Sequence, residues 1–170
     1  PDNIFWLIDP LDGTKEFINK RDEFTVNIAL IKNWQAIFGI VHAPALNLSY
    51  WGGLELGAWK IENTITNAIR VKAITTPLRV IASRSYLDNE TKNYIDTLGV
   101  TELVQAGSSL KFCRIAEGSA DIYPRFGSTC EWDTAAAHAL LEAAGGVILD
   151  LQGKPLTYGK RDIHNPSFIA

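Results

Sequence analysis

The rhythm of the chain changes once, and that change limits the folds open to it. Between Ile4 and Ile61 apolar residues come in short runs and alternations with the period of β-strands. Ile4–Ile8 is a short apolar run that Asp9-Pro10 is expected to stop. Phe24–Ile31 places Phe24, Val26, Ile28 and Leu30 on one side, and Ala36–His42 follows after a turn at Lys32–Gln35. Leu48–Trp51 and Leu56–Ile61 read as a further hairpin turning through Gly52-Gly53. Polar, Thr- and Asn-rich Glu62–Pro77 reads as a loop or junction.

Beyond it strands alternate with helices. The predicted strands are Leu78–Ala82, Val100–Val104, Ala120–Tyr123 and Val147–Leu149. The predicted helices are Leu87–Leu98, capped by Asp88, one from Ser108 or Ser109 to Glu117, and Thr134–Ala144 with Asp133 at its N-cap. The expected class is α/β (α+β), with residues 1–77 as an N-terminal α+β layer and 78–170 as a C-terminal α/β layer.

Composition excludes several roles. Sixteen basic and nineteen acidic residues give a net charge of −3, so nothing favours nucleic acid. No apolar run is long enough for a transmembrane helix, and the start has no secretory pattern. Cys113 and Cys130 read as buried thiols of a reducing compartment. There is no methionine, so material is expected ahead of Pro1.

The segment with the most chemistry is Asp9-Pro10-Leu11-Asp12-Gly13-Thr14. Two carboxylates three residues apart, around a proline and before a glycine, can converge at a strand end. Hard oxygen ligands of this kind, with a backbone carbonyl as an extra ligand, suit Mg²⁺, and N–H groups at Gly13 and Thr14 suit a phosphate oxygen. The same residues also suit an Asx-capped turn. Asp133 reads either as a helix cap or as a third metal carboxylate. Three carboxylates meeting without a cation would repel one another. Ser108 and Ser109 read as caps or as hydroxyls offered to a ligand, and Lys111 and Arg125 as solvated cations or anion binders.

Together these segments resemble the inositol monophosphatase superfamily of metal-dependent phosphatases. Asp9–Thr14 matches its first signature, Asp-Pro-Ile/Leu-Asp-Gly-Thr. Trp132–Ala137 and Glu142–Gly146 nearly match its second, Trp-Asp-x-Ala-Ala-Gly followed by Glu-Ala-Gly-Gly. Trp6–Ile18, Glu23–Ile31, Gly107–Cys113, Ala116–Arg125 and Asn165–Ala170 are closer to the 3'(2'),5'-bisphosphate nucleotidase branch, and Lys15 separates that branch from inositol phosphatases.

The resemblance implies a layered α-β-α-β-α fold with its first layer incomplete and one face of the first sheet uncovered. It implies two or three Mg²⁺ ions on Asp9, the Leu11 carbonyl, Asp12 and Asp133, with Thr14 positioning water. Leu11, Asp12, Gly13, Thr14, Ser108, Ser109, Lys111, Arg125 and Asp133 are implied on the substrate side. The implied reaction is hydrolysis of the 3'-phosphate of adenosine 3',5'-bisphosphate to AMP, with the 3'-phosphoadenosine 5'-phosphosulfate as a second substrate. The implied partner is a small nucleotide rather than a nucleic acid, with oligomeric state open. The implied location is cytoplasmic, with peripheral inner-membrane association as the variant.

Two other readings stay open: an inositol- or sugar-phosphate phosphatase on the same scaffold, and an inactive fragment or binding module. The last follows from an upstream metal-ligating Glu that the superfamily carries, and it predicts weak or no activity for these 170 residues. Ala137 stands where the signature has glycine and is expected to crowd the approach of helix and substrate loop. Tyr86 stands where the branch often has His, which puts base recognition in question.

Overall fold

A computed structural model describes residues 3–74, 76–99 and 102–170. Six antiparallel strands form a meander in chain order: β1 (Ile4–Asp12), β2 (Thr25–Lys32), β3 (Gln35–Ala43), β4 (Leu48–Gly53), β5 (Gly57–Glu62) and β6 (Ile65–Ile69). The β2–β3 hairpin turns through Asn33 and Trp34, both at positive φ, as a tight two-residue turn demands.

Three expectations need correction here. Pro10 does not end the first strand, which continues to Asp12 through a register slip between Asp9 and Asp12. β1 lies at the sheet edge, and at an irregularity in an edge strand a missing N–H costs little. The β4–β5 turn lies beyond Gly52-Gly53, which belong to β4. The expected loop Glu62–Pro77 contains β6, an exposed edge strand that among the described residues pairs only with β5.

One side of the sheet carries the core. The small and polar side of β2, Thr25, Asn27, Ala29 and Ile31, is the buried side, and Val26, Ile28 and Leu30 are only half-buried. Helix α4 (Glu131–Ala143) packs on β2, β3 and β4. Its buried face, rich in Ala135, Ala136, Ala137 and Ala139, lets helix and sheet approach closely. At Gly39 of β3 the approach leaves no space for a side chain, because a Cβ there would collide with the Ala136 carbonyl. Ala137 lies in the core, 1% exposed, and is not among the residues that line the cleft described below. On the opposite face Ile4, Trp6 and Ile8 are exposed, Trp6 by 57%.

The second part is built on a parallel pair, β7 (Arg79–Ser83) and β8 (Glu102–Ala106). Val100 and Thr101 of the expected strand lie outside the described residues. Helix α2 (Asn89–Thr97) starts at Asp88, whose carboxylate accepts from the Thr91 N–H at 2.8 Å. Helix α3 (Leu110–Ala116) follows β8. The expected strand Ala120–Tyr123 is reduced to a single bridge, Val80 to Ile122. A small sheet joins β9 (Pro124–Arg125), β10 (Leu149–Asp150) and β11 (Phe168–Ile169). One main apolar core runs from Ala29 and Tyr50 of the meander to Leu110, Leu140 and Phe168. Among the described residues no helix is long and apolar enough to cross a membrane.

Candidate active site

The end of β1, the C-terminal ends of β7 and β8, and the first turn of α4 meet at one cleft of about 550 Å³. Gly13 sits at φ +84, a left-handed conformation that turns β1 into the five-residue helix α1 (Thr14–Ile18). That turn keeps Asp9 and Asp12 on the cleft side. Asp133 is not the N-cap of its helix, as the sequence suggested. Cys130 takes that position, and Asp133 sits in the first turn, its carboxylate reaching back to the Cys130 N–H at 2.7 Å.

One carboxylate oxygen from each of Asp9, Asp12 and Asp133 lies within 4.8 Å of the others. Each carboxylate is held through a single oxygen. Asp9 Oδ1 accepts from the Leu11 N–H at 3.0 Å. Asp133 Oδ2 accepts from the Cys130 N–H. Asp12 Oδ2 accepts from the Ser109 N–H at 2.7 Å and the Ser109 hydroxyl at 2.6 Å, with Asn27 Nδ2 at 3.3 Å and the Thr25 hydroxyl at 3.4 Å. The second oxygen of each accepts no hydrogen bond among the described residues. Asp133 therefore both ties its first turn back to the Cys130 cap and belongs to the acidic cluster.

Crowding shows in the protonation of these groups. Burial pushes Asp133 up to about 6, and the Asp12 and Asp9 charges add to that, against the Cys130 hydrogen bond. Burial also raises Asp9, against the Leu11 hydrogen bond and with repulsion from Asp12. Three oxygens this close, each on a carboxylate with one lone-pair face free, form a hard donor set that fits a divalent cation. Leu11 lines the same cleft, and its carbonyl is 3.5 Å from the Thr14 hydroxyl.

Beside the acidic cluster the cleft is polar and cationic. Ser108, at φ +46, is buried, and its hydroxyl has no hydrogen-bond partner among the described residues. Lys111 is only 6% exposed, and its ammonium donates to the Ser108 carbonyl at 2.6 Å. Burial pushes that ammonium down to about 8. The Arg125 guanidinium is fixed by the carbonyls of Tyr86 at 2.8 Å and Ser128 at 3.2 Å, and its buried Nε has no partner among the described residues. Neither residue is the freely solvated cation that each resembles taken singly. At the mouth, Tyr86 is 50% exposed, with the Lys15 ammonium 3.8 Å from its ring centre.

Of the residues singled out from sequence, Asp9, Leu11, Asp12, Gly13, Thr14, Ser108, Lys111, Arg125 and Asp133 line this one cleft. Ser109 does not. It is 1% exposed and turned onto Asp12, so it cannot face a nucleotide. Sequence reasoning missed Asn27 and the buried Glu16, which lines the cleft and accepts from the Ser85 hydroxyl at 2.6 Å. A polar residue at a core-facing position of an alternating strand is the signal that could have found Asn27. Cys130 is half-buried rather than buried, Cys113 is a core thiol, and His138 is buried with Nδ1 2.7 Å from the Tyr158 hydroxyl.

Comparison with known proteins agrees with this geometry. The chain is 52% identical over 165 residues to the 3'(2'),5'-bisphosphate nucleotidase CysQ of Escherichia coli (strain K12), covering 96% of this chain and 66% of that protein. It therefore spans just under two thirds of that relative's length. The crystal structure of CysQ from Bacteroides thetaiotaomicron superimposes with a TM-score of 0.93 at 40% identity, over 98% of this chain and 69% of that one. A Thermotoga maritima IMPase structure gives 0.82 at 26% identity, over 98% and 63%. Residues 1–168 match the inositol monophosphatase family, and the chain belongs to that family.

Proposed function

We propose that this chain carries the metal and phosphate site of a Mg²⁺-dependent phosphatase that removes the 3'-phosphate of adenosine 3',5'-bisphosphate, giving AMP and phosphate. The 3'-phosphoadenosine 5'-phosphosulfate presents the same 3'-phosphate to the same groups. The observation that carries this reading is the triple carboxylate cluster, with one oxygen of each residue tied down, set against a buried cationic wall. The names of the related nucleotidases favour the nucleotide over other phosphate monoesters.

Asp9, Asp12, Asp133 and the Leu11 carbonyl would hold the metal. Mg²⁺ held there would supply positive charge against the phosphoryl oxygens and would lower the pKa of a water so that it could act as the nucleophile. The chain's own groups do the rest. Gly13 and Thr14, at the start of α1, offer backbone N–H groups to the scissile phosphate. The Thr14 hydroxyl, close to the Leu11 carbonyl, orients a water toward it. Ser108, with its unpaired buried hydroxyl, and Lys111 and Arg125, each already anchored to main-chain carbonyls, bind the second anionic group. Their anchoring places positive charge before the ligand arrives, so little reorganisation is needed.

The test is phosphate release from adenosine 3',5'-bisphosphate with Mg²⁺ and with EDTA, beside inositol 1-phosphate under the same conditions. The reading expects Mg²⁺-dependent release that favours the nucleotide. Preference for inositol 1-phosphate would overturn the substrate assignment, and release that persists in EDTA would overturn the metal assignment.

A further inference from the structure

Asp12 is the most heavily supported of the three carboxylates, and one residue supplies the two shortest bonds of that support. Ser109 meets Asp12 Oδ2 with both its N–H, at 2.7 Å, and its hydroxyl, at 2.6 Å. The same hydroxyl oxygen accepts from Asn27 Nδ2 at 2.7 Å and lies 3.1 Å from the Asp133 carbonyl. It stands between the residue that ends β1 and the helix that carries the third carboxylate. Ser109 and Asn27 are each 1% exposed, so water does not substitute for these bonds.

The direction of the hydroxyl proton follows from this arrangement. Asn27 fills a lone pair of the Ser109 oxygen, and the remaining acceptors in reach are Asp12 Oδ2 and the Asp133 carbonyl. The ionised oxygen, at the shorter distance, takes the proton. The Asn27 amide is fixed by the same logic, since its NH₂ faces a carboxylate and a hydroxyl while its buried Oδ1 accepts nothing among the described residues.

We propose that Ser109, oriented by Asn27, is a positioning residue for the metal site. It saturates Oδ2 of Asp12, leaves the other oxygen as the one presented to a cation, and holds the Asp12 turn in register with Asp133. The proposal rests on the reading of Asp9, Asp12 and Asp133 as metal ligands. It gives Ser109 a role toward the metal rather than toward the nucleotide. Partners that orient a ligating carboxylate are worth roughly 10- to 100-fold in metal affinity.

The test is a Mn²⁺ titration of the full chain followed by electron paramagnetic resonance, with the unsubstituted protein, Ser109→Ala and Ser109→Thr. The proposal expects Ser109→Ala to weaken Mn²⁺ binding by roughly 10- to 100-fold. It expects the metal-free melting temperature to stay close to that of the parent, and Ser109→Thr, which keeps the hydroxyl, to recover most of the affinity. Equal Mn²⁺ affinity in the parent and a folded Ser109→Ala protein would overturn the positioning role and leave the metal site standing. A parent that binds no Mn²⁺ would overturn both. If Ser109→Ala does not fold, Asn27→Ala takes its place, since it keeps the Ser109 hydroxyl but removes the donor that fixes the Ser109 oxygen and reaches Asp12 Oδ2. A weaker Mn²⁺ affinity in that variant supports the proposal, and an unchanged one overturns it.

Discussion

The backbone of Gly39 lies directly beneath that of Ala136, so close that a methyl group on Gly39 would strike the Ala136 carbonyl. This contact sets the height of α4 above the meander, and with it the height of Asp133 above Asp9 and Asp12. Gly39→Ala cannot be absorbed by a side-chain rotation, because the obstacle is helix backbone. The expected result is destabilisation of about 1–3 kcal/mol or more, together with weaker metal binding. A thermal melt and a metal titration of the same variant check both parts.

Asp133→Asn separates charge from shape. The amide oxygen can still accept from the Cys130 N–H, so the helix start is expected to stay capped. The repulsion from Asp9 and Asp12 is removed, so the metal-free protein is expected to melt at the same temperature or higher. Mg²⁺-dependent phosphate release is expected to fall by roughly 100-fold or more. Differential scanning calorimetry and the phosphate assay give the two readouts.

Protonation of Asp133 makes a pH prediction for the metal-free protein. Its pKa rises from 3.8 to about 6 on folding, chiefly by burial. The native state keeps a proton that the unfolded chain has already released between those values. The stability this contributes is fully present below 3.8 and is lost as pH rises through about 6. Metal-free melting temperature is therefore expected to drop across that window, and added Mg²⁺ is expected to stabilise more at neutral pH than in acid. A scan of melting temperature against pH, with EDTA and with Mg²⁺, measures it.

Tyr86 offers a half-exposed ring at the cleft mouth, braced by Lys15 and by the Arg125 bond to its carbonyl. A nucleobase has a π face to lay on it. Stacking of this kind is worth about 1–3 kcal/mol, so Tyr86→Ala is expected to raise KM for the nucleotide about tenfold with a smaller change in kcat. A substrate without a base, such as inositol 1-phosphate, should show no such change. Steady-state kinetics on the two substrates check it.

The sequence makes the strands of the meander legible through β5 because their apolar alternation is strong. It hides β6, where all residues but Ile69 are exposed and pairing with β5, not burial, makes the strand. It also misplaces the end of β1, since proline ordinarily stops a strand and only its position at a sheet edge lets this one continue. At the site, Asp9, Asp12 and Asp133 stand out as carboxylates at a strand end and a helix start, but a turn and a cap account for the same residues, and the fold alone brings the three together. Ser109 does not stand out, because its partner is 97 residues away, and a serine before a helix reads first as a cap. Asn27 was legible in principle, as a polar residue in step with buried Ala29 and Ile31.

The central claim is that three aspartates from two distant segments share divalent cations. A crystal of the protein soaked in Mn²⁺ and measured at the manganese absorption edge tests it most directly. An anomalous peak bonded to Asp9, Asp12 and Asp133 is the result predicted here. Well-ordered carboxylates with no peak among them, at a Mn²⁺ concentration that saturates binding in solution, would contradict it.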